Sequence, residues 1–232
     1  MARGRFITFE GPEGAGKSTQ LALLVKWLRQ QGTEPVVTRE PGGTPMGDRI
    51  RAAMFGASYA DGESYADGAL PGKKALGPRD HGILPLTEAL LMSAARAQHV
   101  EELLRPALAA GKLVLCDRYA DATLAYQGYG RDLDRDMLRQ LIAIATGGLQ
   151  PDLTVYFDVP AEVGLGRKLQ AHGNGGELNH LDRMDVAFHE RVVAGYRALI
   201  DAEPGRWRVI DATRPLEAVQ ADVREAIASP SS

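Results

Sequence analysis

The sequence has little cysteine, no excess of basic residues and no long apolar run. Cys116 is its one cysteine among 232 residues, which excludes an internal disulfide and a cysteine-based zinc cluster and fits a reducing compartment. The formal net charge is −3, so the overall charge does not indicate DNA or RNA as a partner. Before the first predicted strand there is no apolar segment of the kind that a signal peptide or a membrane span requires. We therefore expect a cytoplasmic protein that binds neither nucleic acid nor membranes.

What is present is an alternation of short apolar strands and longer helical patterns. Hydrophobic residues make up 44% of the chain, enough for one sizeable core, and we expect a single domain over residues 1–232. Strands are predicted for RFITF (5–9), PVVTRE (35–40), KLVLCD (112–117), LTVYFDV (153–159) and WRVID (207–211). Apolar strands that alternate with helices predict an α/β fold, with a five-stranded parallel sheet covered by helices on both faces.

A phosphate-binding loop lies between the first strand and the first helix. In FEGPEGAGKST (9–19), the residues Gly11, Gly16, Lys17 and Ser18 fit the pattern G-x-x-x-x-G-K-[ST]. Glycines let backbone N–H groups surround phosphate oxygens, the lysine supplies a cation near the β and γ groups, and the hydroxyl can bind Mg²⁺. A chance glycine-rich turn would lack the flanking strand and helix. We expect a nucleoside triphosphate to be bound by Gly11, Pro12, Glu13, Gly14, Ala15, Gly16, Lys17, Ser18 and Thr19.

Two further loops follow strands and should open onto the same edge of the sheet, where ligands of open α/β folds bind. REPGGT (39–44) follows the second strand, and an adjacent acid and base, Asp117 and Arg118, end the third. Asp117 can orient Mg²⁺ or its waters, and Arg118 can hold a phosphate with its guanidinium fork. The alternative is a surface salt bridge, but the position at the phosphate-binding edge favours function.

Together these motifs resemble the bacterial thymidylate kinases. The resemblance runs from Arg5 to about Ala212 and is carried, in order, by FEGPEGAGKST, TREPGGTPMG, TEALLMSAARAQHV, CDRYADATLAYQGYGR, PDLTVYFDV and LDRMD. It implies a P-loop NTPase fold with a short lid segment. It also implies transfer of the ATP γ-phosphate to dTMP with Mg²⁺, in an enzyme that is usually a homodimer.

The resemblance also suggests roles for individual residues. Glu13 matches an acid that meets the deoxyribose 3′-hydroxyl, and Met92 occupies a position where many members stack a phenylalanine on thymine. For Met92, packing against the base and plain membership of the helix core both remain open. The other residues implied at the acceptor site are Glu40, Pro41, Arg51, Arg96, Arg118, Thr123, Tyr126 and Gln127.

The lid is expected at about residues 168–183. Gly14 stands where another subclass of the family carries arginine, and basic lid residues are implied to compensate. Arg183 in LDRMD matches best and Arg167 is the second candidate, with Lys168 beside it. With Lys17 and Arg118, these two arginines complete the predicted catalytic set, although either could instead be an exposed helix charge.

One stretch, GASYADGESYADGALPGKKALGPRDHG (56–82), has no counterpart that we can align with the family. Its Gly, Ala, Asp and Pro content predicts an irregular insertion loop over 57–82, because surface loops lengthen at little cost. The last residues, 229–232, are expected to fray.

Two other function classes compete with a thymidylate kinase. A kinase for another nucleoside monophosphate would share the fold, but TLAYQG with Gln127 resembles the thymidylate enzymes. A P-loop switch GTPase would normally carry an N-K-x-D motif, which this sequence lacks, and the acidic balance argues against a DNA-acting ATPase. The five histidines show no metal-ligand spacing, so we interpret them as packing or solvent-facing residues.

Overall fold

The computed structural model describes residues 3–55, 83–173 and 179–228. The predicted insertion (57–82), the predicted frayed tail (229–232) and residues 174–178 of the predicted lid lie outside the described residues. Within the described part the chain is an α/β protein with a five-stranded parallel sheet, as predicted. The strands are β1 Phe6–Glu10, β2 Val36–Arg39, β3 Val114–Asp117, β4 Leu153–Asp158 and β5 Trp207–Asp211.

The sheet has the order β2-β3-β1-β4-β5. β1 lies at its centre and all five of its residues are buried, which explains why its sequence is a nearly continuous apolar run. β1 pairs with β3 on one side and β4 on the other, with Phe9 opposite Asp117 and Val155. The carboxyl ends of β1, β2 and β3 therefore meet at one edge of the sheet, where the three candidate loops begin.

Helices connect the strands. Their bounds are α1 Lys17–Gln30, α2 Pro45–Phe55, α3 Pro85–His99, α4 Arg105–Ala109, α5 Ala120–Thr123, α6 Arg135–Thr146, α7 Ala161–Gly173, α8 Val186–Ala202 and α9 Leu216–Ala228. Their ends follow capping chemistry: at α6, the Asp134 side chain accepts a hydrogen bond from the Met137 backbone N–H, and Gly147 ends the helix with a φ of 54°. A positive φ favours glycine, so Gly147 fits its position at the end of the helix.

The core forms on both faces of the sheet. On one face α1 and α9 pack on the central strands, so that Leu24 and Val223 are fully buried with Phe157. On the other face α8 packs on the segment after β3, and Phe188 and Tyr196 are fully buried there. This second face is important for the site, because it holds α8 against the residues that follow Asp117.

The helix that begins at Pro85 does not continue directly into α4. A π-helical turn, Val100–Leu104, separates α3 from α4. Pro106 explains it, because proline has no N–H and its ring crowds the carbonyl four residues earlier, so the helix widens before it. A second π-helical segment, Leu124–Gly130, follows α5 directly and contains Gln127. In the described part of the chain, no helix is both long and apolar enough to cross a membrane.

Candidate active site

The phosphate loop joins β1 to α1, and its conformation depends on glycine. Gly14 has a φ of 67° and Gly16 a φ of 87°, in the left-handed region that other residues rarely adopt. Gly14 also lies against α7: a Cβ at this position would overlap the backbone carbonyl of Gly164. This close approach leaves no room for a side chain at Gly14, so the loop cannot itself supply an arginine there.

Lys17 begins α1 and turns back over the loop. Its Nζ donates to the backbone oxygens of Gly11 at 3.0 Å and Pro12 at 2.9 Å. Burial and the charge of Arg118 lower the pKa of Lys17 to about 8, although nearby carboxylates act in the opposite direction. A cation held by two neutral carbonyls can exchange them for phosphate oxygens, so Lys17 is placed to bind the β and γ groups of a triphosphate.

Ser18 and Asp117 bring two oxygen donors together beside Lys17. The Ser18 Oγ donates to Asp117 Oδ2 at 2.8 Å, which links the first turn of α1 to the end of β3. Both residues line the same cavity. Mg²⁺ prefers such oxygen ligands and is often held by one carboxylate together with substrate phosphates and water. The donor set therefore fits the predicted magnesium site.

Arg118 follows Asp117 and has a φ of 68°, an uncommon backbone conformation for arginine. In addition to this strained backbone, Arg118 has a guanidinium group that several hydrogen-bond partners hold in place. Nη1 donates to the Gly11 oxygen at 3.0 Å and to Tyr196 Oη at 3.1 Å, and Nη2 donates to Glu13 Oε1 at 2.8 Å and to Tyr126 Oη at 2.9 Å. Arg118 is thereby held next to the phosphate loop before any ligand binds.

Glu13 projects from the loop toward Arg118 and also accepts a hydrogen bond from the Tyr126 hydroxyl at 3.0 Å. Burial opposes its ionisation, but the positive charges of Arg118 and Lys17 outweigh burial and lower the pKa of Glu13 to about 2. Glu13 is therefore an ionised acceptor at neutral pH, as the proposed contact with a sugar hydroxyl requires.

Glu40 and Arg96 form a fully buried pair at the end of β2. Arg96 Nε donates to Glu40 Oε2 at 2.7 Å, and Arg96 Nη2 donates to Thr123 Oγ1 at 3.0 Å. The second Glu40 oxygen lies 2.9 Å from His99 Nδ1. One nitrogen of the guanidinium, Nη1, has no hydrogen-bond partner among the residues that the structure describes. The predicted residues Glu40, Arg96 and Thr123 thus form one network with a spare donor.

A cavity of about 470 Å³ connects these groups. It extends from the phosphate loop past Asp117 and Arg118 to Met92, Tyr126 and Gln127. Most predicted acceptor residues therefore share one space with the phosphate loop; of the others, Arg96 and Thr123 lie in the buried network described above. Pro41 lines the same cavity, and its backbone oxygen accepts a hydrogen bond from Arg51 Nη1 at 3.1 Å.

The two predicted lid arginines do not line this cavity. Arg167 donates to the backbone oxygen of Ala212 at 2.9 Å, and Arg183 is exposed in the turn before α8 rather than in its first turn. Lys168 does line the cavity, with its Nζ 3.5 Å from Asp182 Oδ2. Among the three basic candidates, Lys168 is therefore the one that lines the cavity together with the phosphate loop.

Several cavity residues were not predicted. Arg39 lies at its rim and was passed over although REPGGT was recognised, and Phe55 lines it at the end of α2. Glu88 does not line the cavity but is buried next to Gln127, and it was missed as well. A signal was present, because Glu88, Met92 and Arg96 are spaced by four residues and fall on one buried stripe of α3. A charge on the buried stripe of a helix requires partners, and such residues are often functional.

The family model and the similar proteins found by comparison all indicate the same family. The family model for thymidylate kinase matches residues 9–64 and 73–223. It covers the stretch 56–82 except for residues 65–72, so the expectation that this whole stretch has no counterpart in the family was wrong. The thymidylate kinase of Thermomicrobium roseum is 51% identical over 92% of this chain and 90% of its own length. That of Deinococcus radiodurans is 47% identical over 98% of both chains, and that of Desulfovibrio desulfuricans is 46% identical over 96% of this chain and 94% of its own.

Proposed function

This chain belongs to the thymidylate kinase family, and from that premise we propose that it transfers the γ-phosphate of ATP to dTMP, giving ADP and dTDP. The observation that carries the proposal is the shared cavity, in which the phosphate loop and most of the predicted acceptor residues face one space. A kinase needs this arrangement because donor and acceptor must meet in line without intervening water.

The groups around the cavity suit phosphoryl transfer between nucleotides. The phosphate of a nucleoside monophosphate is already an ionised nucleophile, so no strong general base is needed. Catalysis then consists of positioning and of neutralising the charge on the transferred group. Lys17 and Arg118 supply fixed positive charge on the loop side. Mg²⁺, held through Ser18 and Asp117, would neutralise phosphate charge when bound.

We assign the acceptor to the part of the cavity that extends from Glu13 and Arg118 beside the loop to Gln127. Arg51 is placed for its phosphate: burial and the neighbouring Arg39 lower the pKa of Arg51, so an anion that joins these two arginines relieves their mutual repulsion. Glu13 would accept from the 3′-hydroxyl of the sugar. The base would lie along Met92 with Gln127 at its edge, while the free Nη1 of Arg96 would donate to a base carbonyl.

A kinase for a different nucleoside monophosphate is the nearest competing function. An assay that couples ADP formation to a colour change, with dTMP, dUMP, dCMP, dGMP and dAMP offered separately, decides between them. We expect dTMP to have the highest kcat/KM. Appreciable turnover only with another acceptor would overturn the substrate assignment, and tight GTP binding without acceptor-dependent turnover would indicate a switch protein instead.

We also propose that the chain forms a homodimer through α3 and its neighbours α2 and α6. α3 packs against both of them, and large apolar side chains on the three helices are exposed, namely Met46, Leu86, Leu90 and Ile144. Leu86 and Leu90 are one helical turn apart and about half exposed, so they form a stripe that a second copy would cover.

Light scattering should give a mass near twice 25.0 kDa, and Leu90→Glu should shift it to the monomer. A monomeric wild-type protein at micromolar concentration would contradict the proposal.

A further inference from the structure

Glu88 is a fully buried acid on α3. It lies within the motif TEALLMSAARAQHV, but neither the resemblance nor the mechanism above gives it a role. It lies one turn before Met92 and is surrounded by donors. Gln127 Nε2 donates to Oε1, while Arg131 Nη2 and His180 Nε2 lie 3.2 Å and 2.7 Å from Oε2. Burial opposes its ionisation, but the hydrogen bonds from His180 and Gln127 and the charge of Arg131 outweigh burial and lower the pKa of Glu88. It is therefore a carboxylate at neutral pH.

A carboxylate can only accept hydrogen bonds, and this determines the orientation of the Gln127 side-chain amide. The NH₂ group must face Glu88, so the amide oxygen faces away from it. That oxygen is buried and has no hydrogen-bond partner among the described residues, although Gln127 lines the cavity beside Met92. Buried polar atoms in folded proteins rarely lack a partner, and an exception in a ligand cavity suggests that the ligand supplies it.

We propose that Glu88 is a positioning residue for base selection: by holding the Gln127 NH₂, it presents the amide oxygen as a fixed acceptor for the imide N–H of the acceptor base. The proposal rests on the function proposed above and deepens it. Glu88 does not touch the substrate. It acts through Gln127, and the amide cannot turn over without placing its oxygen against a carboxylate.

The chemistry of the pyrimidines shows what this orientation selects. Thymine and uracil carry a hydrogen on N3, beside a carbonyl at C4. Cytosine has an unprotonated N3, which is an acceptor, beside an amino group at C4. A fixed acceptor from Gln127 and a spare donor from Arg96 complement the first pattern and oppose the second at both positions. A site built around such hydrogen bonds discriminates strongly, because a mismatched base leaves buried polar groups unpaired.

The second oxygen of Glu88 explains why the carboxylate itself does not rotate. His180 comes from the segment before α8, and its ring stacks on Phe55 with centroids 5.5 Å apart and planes at 21°. Arg131 comes from the end of the π-helical segment that carries Gln127. Two donors from two different elements therefore hold Oε2, which leaves Oε1 directed at the amide.

The test compares three acceptors in wild type and Glu88→Gln. A glutamine at 88 can donate as well as accept, so the Gln127 amide becomes free to turn over. We expect the ratio of kcat/KM for dTMP over dCMP to fall about tenfold or more, because one of the two discriminating contacts is released. The ratio for dTMP over dUMP should stay within about twofold, since both bases carry the imide N–H. A merely loosened pocket would change both ratios.

Two controls show whether a change in the dTMP/dCMP ratio comes from the lost charge in general or from release of the Gln127 amide. Glu101→Gln removes the same charge from an exposed position, 71% exposed, in the π-helical turn that follows α3, and should change neither ratio. In a Gln127→Leu background the effect of Glu88→Gln on the dTMP/dCMP ratio should vanish, because the amide through which Glu88 acts is gone. If Glu88→Gln does not fold, Glu88→Asp shortens the side chain by one methylene and releases the amide with the charge retained, and the same expectation applies.

An unchanged dTMP/dCMP ratio in the folded Glu88 variant overturns this inference and leaves the proposed function intact. Wild-type protein that does not phosphorylate dTMP overturns the proposed function itself. The two failures are therefore seen in different measurements.

Discussion

Arg118 and Glu13 form an ion pair beside the phosphate loop, with Arg118 Nη2 donating to Glu13 Oε1 at 2.8 Å. The pair joins the end of β3 to the loop after β1, and the two side chains are only 15% and 16% exposed. Each residue is proposed to contact a different part of dTMP, Glu13 the sugar and Arg118 the phosphate. The pair therefore fixes the spacing between two parts of the acceptor before the acceptor arrives.

We predict that Glu13 recognises the 3′-hydroxyl of the deoxyribose. Removing that hydroxyl from dTMP should lower kcat/KM in wild type and lower it much less in Glu13→Ala. The comparison is a double-mutant cycle between protein and ligand, so it cancels the general effect of leaving Arg118 without its partner. If Glu13 instead orients a water on Mg²⁺, the variant loses activity equally with both acceptors and the coupling is near zero.

We predict that Lys17→Met abolishes most of the phosphoryl transfer without unfolding the protein. The Lys17 Nζ donates to two backbone oxygens of its own loop, so Lys17→Met removes a charge from the phosphates while an apolar stem of similar length remains to fill the buried position. Losing one preorganised charge contact commonly costs about 10²–10³ in rate. Circular dichroism and a thermal melt serve as the folding control, and near-normal turnover in a folded variant would contradict the role of the loop.

Because the pKa of Lys17 is lowered, we predict that kcat/KM for ATP depends on pH. The pKa of about 8 lies below the usual 10.5, so the free enzyme loses this cation as the pH rises above about 8, where an isolated lysine would keep it. We expect kcat/KM for ATP to decline with an apparent pKa near 8, because that parameter reports the free enzyme. At saturating ATP the decline should move to higher pH, since bound phosphates favour the protonated amine. A profile that is flat to pH 9.5, or one that Lys17→Met shares, would count against this assignment.

The sequence predicted the strand and helix framework well because the signals are local. A central strand such as β1 is apolar throughout, and a helix such as α6 carries its own cap at Asp134 and its own stop at Gly147. The π-helical segments were not predicted. The first of them depends on Pro106, which disturbs helical hydrogen bonding without changing the apolar pattern.

The residues of the candidate site also divide into those that the sequence predicts and those whose arrangement only the structure shows. The phosphate loop was recognisable because its chemistry lies in eight consecutive residues. Arg96 and Glu40 were expected at the acceptor site, but their direct pairing across 56 residues of sequence is visible only in the structure. The role of Glu88 depends on partners from two separate segments of the chain, and no spacing rule brings His180 together with Gln127 and Arg131.

We predict that Asp117 sets the affinity for Mg²⁺. Its carboxylate is one of two oxygen donors that meet beside Lys17, and the Ser18 hydroxyl already lies 2.8 Å from it. Asp117→Asn keeps the shape and removes the charge, so the Mg²⁺ concentration needed for half-maximal rate should rise about 10–100-fold. Asp136→Asn, at an 83% exposed position on α6, is the matched control and should leave that concentration unchanged. An unaltered Mg²⁺ requirement in Asp117→Asn would exclude this metal role.

The last prediction concerns the lid, and it follows from Gly14. Because α7 occupies the space beside that glycine, the loop cannot supply an arginine to the transferring phosphate, and a basic residue must come from elsewhere. Arg183 is exposed in the turn before α8 and makes no hydrogen bond or ion pair with the described residues, so little opposes its movement toward bound nucleotides. An arginine delivered to the transferred group contributes about 10³–10⁵ in related enzymes.

We expect Arg183→Ala to lower kcat substantially while leaving the affinity for dTMP nearly unchanged, because the contact belongs to the transition state. The loss should be smaller than in those enzymes, since Lys168 already lines the cavity and can share the charge. Arg29→Ala, which removes an arginine that is 56% exposed in the last turn of α1, is the control and should retain full activity. A kcat for Arg183→Ala within about twofold of wild type, about 0.4 kcal/mol of barrier, would exclude Arg183. In that case Lys168→Ala becomes the informative variant, because Lys168 is the lid cation that already faces the phosphate loop, whereas Arg167 is held by the backbone of Ala212.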